Sequence, residues 1–261
     1  MKISLVTPSY NHERFIKRTI DSVLAQRGDF ELEYKVIDGA STDGTRAILE
    51  RYGSEITWVS ERDEGQVDAI NKGLRAATGD VVGWLNSDDT LLPGALAKIA
   101  DAFRANPGVE WVHGRCLIID EHDREVRRWI SAYKHYRCRT HTFENLLTEP
   151  YLSQMTTFWR RSVHDDIGYL SPDIRFAFDH DFFLRLARRG DPVYIEDHLA
   201  CFRWYETSKS GESYAIQMRE TADLASRYGA GVWTRTRAHA KMFAVTNIYR
   251  AMALTRAALR R

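Results

Sequence analysis

This 261-residue chain carries only three cysteines, Cys116, Cys138 and Cys201, odd in number, far apart and without a Cys-x-x-Cys or Cys/His ligand spacing. That excludes a disulfide scaffold and a thiolate metal site, and it suits a reducing compartment. A surplus of either charge is also missing. With 37 Lys+Arg against 36 Asp+Glu the net charge is +1, so no global field draws nucleic acid as a partner. No stretch approaches the roughly 20 apolar residues of a membrane span, and no basic and apolar leader precedes the first strand-like run. No Gly-x-Gly-x-x-Gly opens the first helix, which argues against a dinucleotide oxidoreductase. The expectation is a cytoplasmic protein, free or resting peripherally on the inner face of the cell membrane. Its length allows one large α/β domain or a domain with an appendage, and the second is favoured.

What is present begins with alternation. Residues 3–6 form a short apolar run ended by Thr7-Pro8-Ser9-Tyr10-Asn11, after which Phe15, Ile16, Ile20, Val23 and Leu24 recur at helical spacing. A second strand is expected at 33–37, with 38–44 as its loop and 45–52 as its helix, and a third at 56–59. Val67, Ile70 and Leu74 mark one face of a helix over 66–77, and Gly79-Asp80 turns into an apolar strand ending at Asn86. Strands alternating with helices imply a mainly parallel sheet whose ligands bind beyond the strand carboxyl ends. Polar clusters stand at three of those ends. Asn86-Ser87-Asp88-Asp89 is by default an Asx turn capping the next helix. Its acids also suit a hard divalent cation and a diphosphate.

Four motifs occur in order: Val6-Thr7-Pro8-Ser9-Tyr10-Asn11, then Asp38-Gly39-Ala40-Ser41-Thr42-Asp43-Gly44-Thr45, then Asp63-Glu64-Gly65-Gln66-Val67-Asp68-Ala69-Ile70-Asn71-Lys72-Gly73, then Asn86-Ser87-Asp88-Asp89. Together they resemble family 2 glycosyltransferases over the first hundred or so residues, more weakly to Ser210. The resemblance implies an α/β GT-A fold, Rossmann-like, over residues 1–210, with a donor half to residue 100 and an acceptor half from 101. Residues 211–261 would be a helical C-terminal extension. It further implies a nucleotide-diphosphate sugar donor, UDP-sugar favoured, a divalent Mn²⁺ or Mg²⁺, and inversion at the anomeric carbon.

By that resemblance Asp38 would accept a hydrogen bond from a uracil imide, which a carboxylate suits because it offers only acceptors. Its plain role would be capping. Thr7, Pro8, Tyr10 and Asn11 would wall the base and ribose pocket. Asp68, Asn71 and Lys72 share one side of their helix and would face the donor, or form a solvated Asp–Lys pair. Asn86 stands where the family usually has the first Asp of Asp-x-Asp. An amide still bonds a ribose hydroxyl, with Ser87 beside it, but Asp88 is left as the direct metal ligand. Arg203, Ser208 and Lys209 would grip diphosphate or lie on an exposed loop. Tyr205 stands where a histidine often completes the metal site, and His198 is a substitute.

An inverting transfer needs a base opposite the leaving group. Phe182, Phe183 and Leu186 mark a short helix ended by Gly190, whose first turn carries Asp179 and Asp181. The helix dipole keeps such carboxylates ionised. By resemblance Asp179 aligns with the base and Phe178 replaces the family's Glu; Asp181 is the alternative, and N-capping is the plain role of both. Gln154 is the acceptor-side candidate. From 232 to 261 there is no acid, while Arg235, Arg237, Lys241, Arg250, Arg256, Arg260 and Arg261 are basic, and Met242, Val245, Ile248, Tyr249 and Met252 follow helical spacing. Such a helix lies on an anionic membrane surface or packs on the catalytic domain. The first case suits a lipid-linked saccharide acceptor; otherwise the acceptor is a saccharide, and self-association stays open. The departures at 86, 178 and 205 also leave room for a regulatory or assembly protein that binds a nucleotide sugar without turning it over.

Overall fold

In the computed structural model of the chain, residues 1–206, 208 and 214–259 are described, the side chains of 214 and 249–259 excepted. Strand β1 (Lys2–Ser9) runs through the middle of the donor half, parallel to β2 (Glu31–Asp38) on one side and β4 (Val81–Trp84) on the other, and β3 (Thr57–Ser60) extends β2 in parallel. Helices α1 (Ile16–Leu24), α2 (Thr45–Glu50) and α3 (Gln66–Arg75) connect them. Because successive strand residues point to opposite faces, Leu5, Val36 and Val81 enter one core while Val6, Ile37 and Val82 enter the other. Helix α3 lies so close on β1 that a Cβ on Gly73 would collide with the Val6 side chain. This is the expected β-loop-α series, with element ends shifted by one to three residues.

The second half continues with β5 (Thr90–Leu91), α4 (Ala95–Ala105), β6 (Trp111–Ile119), α5 (Arg128–Arg139), α6 (Phe143–Thr148), β7 (Phe158–Arg160), α7 (Val163–Ile167), α8 (Phe178–Ala187) and β8 (Val193–Arg203). Among the described residues the sheet order is β3-β2-β1-β4-β7-β6-β8-β5. Strand β7 enters between β4 and β6 and runs against both, and β5 runs against β8, while β6 and β8 are parallel. The donor half is thus wholly parallel, the second half combines parallel and antiparallel pairs, and the whole sheet is mixed. Trp84 anchors the junction, with Trp159 edge-on at 5.6 Å and Phe183 stacked at 6.4 Å. Aromatic pairs in these geometries add to the area they bury.

Two helices close the chain, α9 (Tyr214–Arg227) and α10 (Val232–Leu259). They are stitched to the body by polar contacts: Glu220 accepts the Phe176 and Ala177 amides at 2.8 and 2.9 Å, and Lys241 Nζ meets Glu149 Oε1 at 2.9 Å. Ala238 and Met242 are buried, whereas Trp233 is 87% and Phe243 69% exposed. Of the two readings for the basic C-terminal segment, packing on the body holds for Ala238 and Met242. Arg260 and Arg261 lie outside the described residues, as do the side chains of Tyr249, Arg250, Met252 and Arg256. No helix among the described residues is long and apolar enough to cross a membrane.

Candidate active site

Strand β4 ends in the core, and after Leu85 the residues 86–89 form a loop held from several sides. The Asn86 side chain accepts a hydrogen bond from Gln66 Nε2 at 2.9 Å and donates to Asp89 Oδ2 and to Gln154 Oε1, both at 3.3 Å. Gln154 in turn donates to the Trp84 carbonyl at 2.6 Å. Asp89 is fully buried and accepts the Arg203 amide at 2.8 Å. Burial, and next the adjoining Asp88, hold the Asp89 carboxyl well above the usual carboxylate range. Thr19 Oγ1 donates to the carbonyls of Ser87 and Asp89 at 2.9 and 2.8 Å, and the buried Ser87 hydroxyl meets His12 Nδ1. The consequence is that Asp88 alone of the two acids is presented, half-buried, at the wall of a large cavity.

That cavity, about 1780 Å³, runs from Pro8 and Tyr10 past Asn86, Ser87 and Asp88 to Asp179 and on to α10. Pro8, Tyr10, Asp68, Asn71, Asn86, Ser87, Asp88, Gln154, Asp179 and Arg203 all line it, so ten candidates from separate motifs share one space. Tyr10 is 59% exposed and offers a free aromatic face. Ser208 also lines the cavity, whereas Lys209 lies outside the described residues.

Several expected roles change with the geometry. Thr7 is buried, its hydroxyl 3.0 Å from the Tyr34 hydroxyl, and does not line the cavity. Asp38 is also fully buried beneath the loop, accepting Ser41 N at 2.9 Å, Ser41 Oγ at 2.5 Å and Ser60 Oγ at 2.6 Å. It does not line the cavity; its carboxylate ties down the loop whose Gly39 and Ala40 do. Asn11, in the left-handed region at φ 53, accepts Thr42 N at 2.8 Å and staples two loops together. Asn71 exchanges two hydrogen bonds with the Leu170 backbone, at 2.9 and 3.0 Å. Lys72 is drawn out of the cavity by Glu61 at 3.0 Å and Asp68 at 3.2 Å. The solvated-pair reading describes Lys72.

Arg203 is the largest correction on the donor side. Its guanidinium is wholly buried and spent on the Asp88 carbonyl at 2.8 Å, the Asp120 carbonyl at 2.7 Å and Asp123 Oδ1 at 2.6 Å. It braces the loop that presents Asp88 instead of reaching for phosphate. His198 is removed as a metal ligand. It lies five residues along β8 from Arg203, roughly 16 Å at strand rise, with its ring 5.2 Å from that of His135.

Helix α8 forms as its apolar spacing implies, and its start is fixed by Glu220 from α9. Phe178 is buried with its ring 6.4 Å from Trp84, so this departure from the family pattern is a core residue. Asp179 is half-buried on the cavity wall. Asp181 is turned away: Arg185 Nη2 lies 3.0 Å from its Oδ2 and Tyr228 donates to its Oδ1 at 2.9 Å. His180 between them is fully buried, and burial pushes its imidazole down to about 4, so it is neutral. His12, Thr19 and Glu220, which sequence reasoning missed, position others, as do Gln66 and Asp89, which stand inside quoted motifs but were given no role.

A divalent ion is implied by the fold. No cluster of three His, Cys, Asp or Glu able to hold one exists among the described residues. Asp88 Oδ2 accepts the Tyr205 phenol at 3.0 Å, and burial, then the charge of Asp88, raises that phenol's pKa. One presented carboxylate fits an ion of the Mg²⁺ kind, which takes few protein ligands and completes its shell with substrate phosphates and water.

A mixed sheet whose parallel half presents acids and an aromatic face at its carboxyl ends is the GT-A glycosyltransferase fold. S. aureus TarS in complex with UDP-GlcNAc superposes with a TM-score of 0.68 at 21% identity, over 93% of this chain and 72% of that one. The mannosyltransferase PcManGT of Pyrobaculum calidifontis, in complex with GDP-Man and Mn²⁺, gives 0.68 at 21% identity, over 98% and 79%. Residues 4–168 match the family model for glycosyl transferase family 2. The chain belongs to that family and is a glycosyltransferase. It is 35% identical over 130 residues to an uncharacterized glycosyltransferase of Nostoc sp., covering 48% of this chain and 40% of that protein. To an uncharacterized glycosyltransferase of Mycobacterium tuberculosis it is 29% identical over 239 residues, covering 88% and 86%. Chondroitin synthase of Escherichia coli is 28% identical over 191 residues, 72% of this chain but 27% of that enzyme.

Proposed function

We propose that this chain moves a sugar, with inversion, from a nucleoside-diphosphate donor to a hydroxyl of a saccharide or lipid-linked saccharide, with residues 1–210 as the catalytic unit and 211–261 as its extension. The observation that carries the reading is the opening of Asp88 and Asp179, which stand in different parts of the chain, onto the cavity that Pro8 and Tyr10 also wall. Tyr10 stacks on the base, and the Gly39–Ala40 backbone frames it. A UDP-sugar is the first donor to test, although the two structural neighbours were solved with donors of different bases.

Asp88 would hold the divalent ion, which when bound neutralises charge on the departing diphosphate. The Tyr205 hydroxyl takes one lone pair of Asp88 Oδ2, and the carboxylate's remaining lone pairs would serve the ion. Asp179 accepts the proton of the attacking hydroxyl as the new C–O bond forms at the anomeric carbon and the bond to the diphosphate oxygen breaks, the electron pair leaving with the nucleotide. The transition state makes the attacking hydroxyl acidic, so an ordinary carboxylate suffices. Buried Phe178 and Trp84 keep water from that side.

The test is calorimetric titration with nucleoside diphosphates and their sugars, with Mn²⁺, Mg²⁺ or chelator. Metal-dependent binding of one nucleotide class supports the reading and names the base; no binding of any of them refutes it.

A further inference from the structure

The cavity is larger than its donor. Pockets that enclose a drug-sized ligand span roughly 300–1,000 Å³, and this one reaches about 1780 Å³ because it continues into an arm between α5 and α10. The arm is apolar on both sides. Trp129, Ile130 and Tyr133 line it from α5, at spacings that share a helix face, and Met242, Val245 and Ile248 line it from α10 at intervals of three. Trp129 is 56% and Ile248 44% exposed. The stripe on α10 beyond Met242 thus faces open space, where a helix of a folded body would ordinarily cover it.

Lys134, Lys241 and Glu149 bring charge to this surface. Lys134, one turn along α5 from Ile130, lines the same cavity half-buried, and among the described residues no carboxylate lies within ion-pair distance of it. Its neighbours are already matched: Arg137 and Lys241 both contact Glu149, at 2.5 and 2.9 Å. A half-buried ammonium beside an apolar trough fits a single anionic headgroup with a hydrocarbon tail.

We propose that this arm seats the acceptor's aglycone, and that the acceptor is an anionic amphiphile, its chain between α5 and α10 and its phosphate on Lys134. The inference rests on the transferase reading and narrows its acceptor to a saccharide carried on a lipid phosphate. Continuity with the Asp179 wall is what makes the arm an acceptor site rather than a separate groove.

The test uses the full chain and monomeric dodecyl phosphate below its micelle concentration, titrated by calorimetry beside decyl phosphate, dodecyl maltoside and, as control, UDP with Mn²⁺. Saturable binding is expected, tightening about fourfold per added methylene, weaker for the uncharged maltoside, and at least tenfold weaker in Val245→Glu and Ile248→Glu, while UDP binds all forms alike. Lys134→Gln should remove the preference for phosphate over maltoside. UDP binding without saturable dodecyl phosphate binding overturns this proposal and leaves the transferase reading intact. Binding that both charged variants retain also overturns it, as does attachment to anionic vesicles without monomer binding, which would make α10 a membrane face. Failure of UDP itself strikes the underlying reading instead.

Discussion

Restoring the family's acid at position 86 should damage this protein. In Asn86→Asp the bond from Gln66 survives, but the two donated bonds, to Asp89 Oδ2 and Gln154 Oε1 at 3.3 Å each, become contacts between acceptors. The new carboxylate would stand against a buried one that is already hard to ionise. Two unit charges about 4 Å apart at an effective dielectric near 20 repel by about 4 kcal/mol, an upper bound because the pair can share a proton. The sign with pH follows. A carboxyl whose folded-state pKa is raised costs stability as pH climbs from its unfolded value through the folded one, at about 1.4 kcal/mol per pH unit. Urea unfolding of Asn86→Asp should therefore show a loss of about 2–4 kcal/mol at pH 8 that shrinks to about 1 kcal/mol at pH 5. Equal stability of variant and wild type at pH 8, or tighter Mn²⁺ binding by the variant, would refute the view that Asn86 is a hub rather than a ligand.

Three further outcomes follow from the site. Asp179→Asn should lower transfer by about 10²–10⁴-fold with nucleotide binding unchanged, whereas Asp181→Asn should cost about 3 kcal/mol of stability by stranding Arg185 and leave the rate per folded molecule close to normal; the reverse pattern would exchange their roles. Asp88→Ala should abolish the Mn²⁺-dependent part of nucleotide binding while changing the unfolding free energy by less than about 1 kcal/mol, and chelator should leave the variant's nucleotide binding unaffected. His180 is neutral in the fold with its pKa lowered to about 4, so its contribution is complete above pH 6.5 and is lost as pH falls toward 4, by at most about 3 kcal/mol. In His180→Leu the slope of stability against pH between 4.5 and 6.5 should drop by about one proton, and an unchanged slope would place the acid sensitivity elsewhere.

The donor half was legible because its signals are local. Apolar spacing in residues 15–24 and 66–75 is sufficient to place α1 and α3, and a strand that ends in polar residues shows where a ligand can approach. Helix α8 with its two acids was legible for the same reason. Which acid faces the cavity was not, since Arg185 claims Asp181 from the same helix and Tyr228 from 47 residues away. Arg203 was misread because its bond to Asp89 spans 114 positions, and a basic residue near a phosphate motif reads as a ligand until its burial is known. Asp38 shows the same limit. Only the fold reveals that Ser60 occupies the carboxylate from the neighbouring strand.

The brace by Arg203 sets a limit on modularity. The family model ends at residue 168, and a fragment cut there would keep all four recognition motifs. It would lose β8 with the amide that holds Asp89 and the guanidinium that holds the Asp88 carbonyl, and Glu220, which fixes the start of α8, would go too. Grafting or trimming this enzyme at the limits of its recognisable sequence would thus yield a protein that still looks like a transferase and has no working centre.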